Sequence, residues 1–175
     1  MLAISPYMLV FRIVHIVAAV AWAGSVFLFV VFVQPAAAAI APAGAPFVAE
    51  LLGVRRLVDR LLMIGSIAVG GGLFLYWHDW HTYPSFGDWI TSPFGAVLTI
   101  GALCAIAALN IGGAITKPGV DRLLALGRQA AETGGPSPEV AAQIGQMQSR
   151  LQTVARIQLG LIAVAVLAMA TARYW

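Results

Sequence analysis

Between Arg12 and Glu50 the chain carries no charged side chain. No other feature limits the fold so strongly, because a water-soluble domain has no place for an apolar stretch of that length, whereas a bilayer core accepts it as helix. Further uncharged runs fill residues 61 to 78, 89 to 116 and 157 to 172. The four runs predict an all-α fold, a four-transmembrane-helix bundle. Its helices are expected at about 7–33, 56–80, 92–117 and 138–173 of a single integral membrane domain, 1–175. Charged residues make up only 10% of the chain, against roughly 25% in ordinary soluble domains, so the composition agrees.

Punctuation places the helix ends. The first helix should stop at Gln34-Pro35, since proline disfavours helical geometry in the residue before it. The alanines that follow, in QPAAAAIAPAGA, resemble a leader processing site, but the apolar run ahead of them is longer than a leader's hydrophobic region, so the first helix is expected to stay. Phe47, Leu51, Val54, Leu57, Val58 and Leu61 share one helical face and predict an interfacial turn running into the second helix. That helix contains Gly70, Gly71 and Gly72, a poor helical composition unless a neighbour packs close to the backbone. Ser92 as cap and Pro93 in the first turn open the third helix, which should end at Lys117-Pro118. Ser137 caps the long fourth helix, with Glu139 in its first turn. Val140, Ile144, Met147, Leu151 and Val154 alternate at spacings of four and three, and Val120, Leu124, Gly127 and Ala131 repeat that pattern. The two segments are therefore expected to pair as a helical hairpin extension between helices 3 and 4, outside the bilayer.

Orientation follows from the basic residues. Arg55, Arg56, Arg60, Lys117, Arg122, Arg128, Arg150 and Arg156 fall on one side of the membrane, and only Arg12 and Arg173 on the other. In a bacterial-type inner membrane this predicts a cytoplasmic 117–156 hairpin and periplasmic or exterior termini. If Arg12 reaches the outer headgroups, the segment from Arg12 to Val33, rising ~1.5 Å per residue, just crosses the ~30 Å hydrocarbon core. His15 then lies about one turn below the outer interface, at the level of His78 and His81.

An imidazole at that depth has two open readings. It is either a hydrogen-bonded packing contact between helices or an axial ligand to haem b, with His78 or His81 as the second ligand. Trp22 lies on the face of His15 further down, and Gly24 and Gly71 are expected to leave room for the macrocycle. As candidate metal ligands, His15, His78 and His81 also admit copper or zinc, His78 and His81 being three apart with Asp79 between them. The aromatics of YWHDWHTYPSFGDW read as an interfacial belt. Asn110 is expected to bond between helices.

Other classes lack residues. The basic side chains form no stripe with interleaved aromatics, so no nucleic-acid partner is expected. The single Cys104 excludes an internal disulfide and a cysteine-based zinc site. Every acidic residue sits at or beyond a membrane end and no nucleophile triad is present, so no catalytic residue is assigned and a non-enzyme is favoured.

The stretch from His15 through Trp22, Gly24 and Ser25 into VFLFVVFVQP resembles the first helix of the CopD-like group of four-helix membrane proteins. That group is related to the membrane domains associated with some urate oxidases and, distantly, to HemJ-type protoporphyrinogen oxidases. ITKPGVDRLLAL and VLAMATARYW are similar to the ends of helices 3 and 4 in such proteins. The resemblance implies a haem-ligand or redox role for His15. HemJ-type proteins carry a lysine near the start of helix 3, where this chain has Ser92, Pro93 and Phe94. The expected function is haem-based electron transfer or a redox accessory role near the outer face. Alternatives are a cofactor-free accessory subunit of a larger membrane complex or a homo-oligomer, and copper binding or transport.

Overall fold

The computed structural model describes residues 6–175, and among these every regular element is helical. Helix α1 (Pro6–Leu28) passes through a π turn at Phe29–Val33 into α2 (Gln34–Ala39). A short α3 (Gly44–Ala49) and a second π turn at Glu50–Val54 lead to α4 (Leu57–Trp80), and α5 (Phe86–Thr91) sits in the next connection. Helix α6 (Pro93–Ile111) runs through a third π turn at Gly112–Thr116 into α7 (Lys117–Glu132), and α8 (Pro138–Thr171) closes the chain with one 3-10 turn. Four helical spans, Pro6–Ala39, Leu57–Trp80, Pro93–Glu132 and Pro138–Tyr174, are long and apolar enough to cross a membrane.

Two expected stops are not stops. The helices continue past Gln34-Pro35 and past Lys117-Pro118. In an α-helix a proline ring collides with the carbonyl four residues back, here Val31 and Ala114. Each of those carbonyls lies inside a π turn, where Gln34 N–H bonds Phe29 O and Lys117 N–H bonds Gly112 O, five residues back. The wider turn makes room for the ring, so the chain keeps its direction. The break that does occur is at Arg56, whose left-handed backbone (φ 50°) separates the Glu50–Val54 turn from α4.

Packing is in two pairs, α1 along α4 and α6 along α8, set face to face. Ala18, Trp22, Val26, Ala68, Ala108 and Ile162 form the centre. Small side chains dominate because lipid supplies no hydrophobic drive between helices, so close van der Waals approach has to do the work. Gly65 shows how close: a Cβ there would lie 2.8 Å from the Trp22 ring. Outward residues such as Ile13, Val17, Val20 and Leu167 are exposed, as suits a lipid-facing surface. Past the bundle, Leu151 of α8 lies against Gly119, and Leu124 of α7 against Gly53.

The buried polar contact between helices belongs to Gln158, not Asn110. Gln158 is 8% exposed, and its Nε2 donates to Ala108 O at 3.0 Å. Asn110 is exposed and returns its amide to Ile106 O of its own helix.

Candidate functional site: a cavity between the helix pairs

Facing two pairs of helices leaves a gap, and at the end of the bundle where α1 begins and α8 ends the gap opens into a cavity of about 390 Å³. Its depth is marked on α1 by Arg12 at the mouth, His15 about one turn below it and Trp22 at the bottom. Across the mouth stand Asp79 of α4 and Arg173 after α8. The walls between are mainly aliphatic.

His15 is held in one tautomer by its surroundings. Its Nδ1 lies 2.7 Å from Ala68 O. A carbonyl oxygen only accepts, so Nδ1 carries a proton and, in the neutral ring, Nε2 carries the lone pair. Among the described residues no hydrogen bond uses that lone pair. The ring reaches Ala68 because Gly72, one turn nearer the mouth, has no side chain: a Cβ there would lie 2.7 Å from His15 Cε1. Gly71 faces the same residue, its Cβ position being 3.4 Å from His15 Cβ and 3.6 Å from His15 Cα. The crowded backbone inferred from the three glycines is thus real at Gly71 and Gly72, and the neighbour is His15. Gly70 has nothing within 4 Å.

The other sites named from sequence lie elsewhere. His78 and His81 are not part of the cavity wall. His78 Nδ1 is 3.5 Å from Asp79 Oδ1. His81 closes the end of α4, its Nδ1 donating to Trp77 O at 2.7 Å, with its ring 4.6 Å from both Trp77 and Trp80. Gly24 faces away with nothing within 4 Å, and the glycine that lines the cavity is Gly72. Trp22 does line it, at the floor. Among the described residues no three His, Cys, Asp or Glu side chains are gathered where a metal ion could be held.

Sequence reasoning passed over Tyr76 and Met169, both in the cavity wall. Thr99 Oγ1 donates to Gly95 O at 2.6 Å, so the Tyr76 hydroxyl, 2.8 Å away, donates to Thr99. That chain secures α4 to the first turn of α6. Beside it Trp89 is fully buried, edge-on to Tyr76, Tyr83 and Phe94 with ring centres 5.0 to 5.5 Å apart, and its Nε1 has no partner. Aromatic edges meeting ring faces stabilise such a cluster, and N–H groups directed at rings are weakly bonded.

Comparison with family models, with curated proteins and with solved structures found no match.

Proposed function

We propose that the chain is a membrane-embedded haem b protein of CopD-like type that carries electrons, in which His15 Nε2 would hold the iron in the cavity. One observation carries the reading: a backbone carbonyl fixes the Nδ1–H tautomer of His15 and leaves Nε2 open beside a slot between helices. Ligating histidines have this arrangement, in which the second nitrogen is tied to an acceptor that sets ring orientation and raises donor strength. The residues fit the group in other respects. A cavity of 390 Å³ lies within the ~300–1,000 Å³ range of cofactor clefts, its walls are apolar, and Arg12 and Arg173 at the mouth match carboxylate side groups. Haem would supply one-electron chemistry; the protein's part is to orient the imidazole, exclude water below Tyr76 and hold the carboxylates at the interface.

By the distribution of basic residues the mouth opens to the exterior of a bacterial-type inner membrane, so electrons would be exchanged there. The test is haem titration of detergent-purified protein. Stoichiometric uptake with a sharp Soret band is expected, lost in His15→Ala and kept when His78 and His81 are both replaced by alanine. A folded protein that stays colourless overturns the proposal and leaves His15 as the packing contact that its bond to Ala68 already satisfies.

A further inference from the structure

The cavity takes one of the three histidines, so haem iron held there by His15 would have either no second protein ligand or one of another residue type. Among the side chains lining the cavity, the tyrosine hydroxyl is committed to Thr99 and Asp79 stands at the mouth with the arginines. The sulfur donor in the wall is Met169 of α8. Its position mirrors that of His15. On α1 the mouth residue Arg12 precedes His15 by three positions, and on α8 Met169 precedes the mouth residue Arg173 by four. The two helices pass through this end of the bundle in opposite directions, so each donor lies about one turn, ~5 Å, inside its own arginine. The donors also belong to opposite walls. His15 is seated against Gly72 of α4, whereas Met169 packs on α6, its Cγ 3.6 Å from the Cβ position of Gly101.

We infer that Met169 Sδ is the second axial ligand, making a histidine–methionine site whose carboxylates are held by Arg12 and Arg173. The inference rests on the haem reading above and adds the ligand that the histidine count left missing. Met169 is partly buried, and its unbranched side chain adapts to a partner across a gap. A neutral thioether favours the ferrous state, so the site would have a higher midpoint potential than one with two imidazoles.

The experiment uses the full chain in detergent, loaded with haem, and compares wild type with Met169→Leu, Met169→His and His15→Ala by absorption, near-infrared magnetic circular dichroism and redox titration. Wild type is expected to be low-spin with the near-infrared band of a thioether ligand. Met169→Leu, close in volume, should keep stoichiometric haem but turn high-spin, bind carbon monoxide readily when reduced and titrate at a lower potential. Met169→His should return to low spin with the signature of two nitrogen ligands. A wild type that takes up haem but lacks the thioether band, or a Met169→Leu protein with unchanged spin state and potential, overturns the ligand assignment while the haem reading stands. A wild type that binds no haem overturns both.

Discussion

Replacing the three consecutive glycines of α4 one at a time by alanine tests how His15 is seated. A Cβ at Gly72 would lie 2.7 Å from His15 Cε1 and 3.1 Å from Nδ1, against ~3.5–4.0 Å for a relaxed contact. The ring must withdraw by roughly 1 Å, which takes the 2.7 Å contact with Ala68 O beyond the ~3.2 Å limit of a good hydrogen bond. An interhelical hydrogen bond in a membrane contributes about 0.6 kcal/mol on average and up to ~1.7. Overpacking adds about 1–3 kcal/mol, and the better helix propensity of alanine returns up to ~1 kcal/mol. Gly72→Ala should therefore destabilise by roughly 1–3 kcal/mol and weaken haem uptake. At Gly71 the nearest atom, His15 Cβ, is 3.4 Å away and needs only a slight adjustment, and Gly70 meets nothing within 4 Å. Gly70→Ala should be neutral or slightly stabilising, with Gly71→Ala between the other two. Unfolding in mixed micelles, followed by circular dichroism, gives the stabilities, and haem titration gives the uptake. A Gly72→Ala protein as stable and as avid for haem as Gly70→Ala would refute the seating of the imidazole.

The two amide side chains should respond oppositely. Gln158→Leu breaks the bond to Ala108 O and is expected to lose up to ~1.5 kcal/mol in the same unfolding assay, while Asn110→Leu, at an exposed position, should stay within about 0.5 kcal/mol. Trp89→Ala should cost about 3–5 kcal/mol by emptying the centre of an aromatic cluster. Trp89→Phe should cost much less, because the indole N–H has no partner to lose. Lys117 lies 3.4 Å from Asp59 and 2.6 Å from Asp121; Lys117→Met should cost no more than ~1 kcal/mol, shrinking further as salt is added.

The sequence announces the bundle because charge is so costly inside a bilayer that its absence from Arg12 to Glu50 leaves few alternatives. Arg12, His15 and Trp22 all line the cavity, but His15 does not share the level of His78 and His81: it packs against Gly71 and Gly72 of α4, roughly 9–15 Å short of the two other histidines at ~1.5 Å per residue. Direction differs as well. On α4 the positions Ala68, Gly72, Tyr76 and Asp79 face the cavity, and His78 follows Trp77 about 100° round the helix from Asp79. Neither height nor direction therefore makes neighbours of the histidines, and no hydropathy pattern carries the angle. Met169 escaped because methionine in an apolar run reads as filler, although Arg173 four residues later repeats the relation of Arg12 to His15. Asn110 and Gln158 each stand alone in an apolar run, and the face that decides between them is invisible until the neighbouring helix is placed.

The prolines failed as stop signals for a reason that bears on the whole architecture. A proline is a stop only if the carbonyl four residues back stays where an α-helix puts it. Both helical spans that run on through an internal proline, Pro35 and Pro118, place a π turn immediately ahead of it, at Phe29–Val33 and Gly112–Thr116. In lipid a true break would leave backbone groups without partners, at several kcal/mol each, whereas a π turn only passes the hydrogen bonds on by one residue. The Gly112–Thr116 turn begins at a glycine where a Cβ would lie 2.9 Å from Gln158 Nε2. Thr116, at the far end of that turn, directs its hydroxyl to Gln158 Oε1 at 3.4 Å. The same turn thus accommodates Pro118 and admits the buried amide of Gln158 that ties α8 to α6. The local distortion and the interhelical contact are mutually supporting, which is why neither could be read from the proline alone.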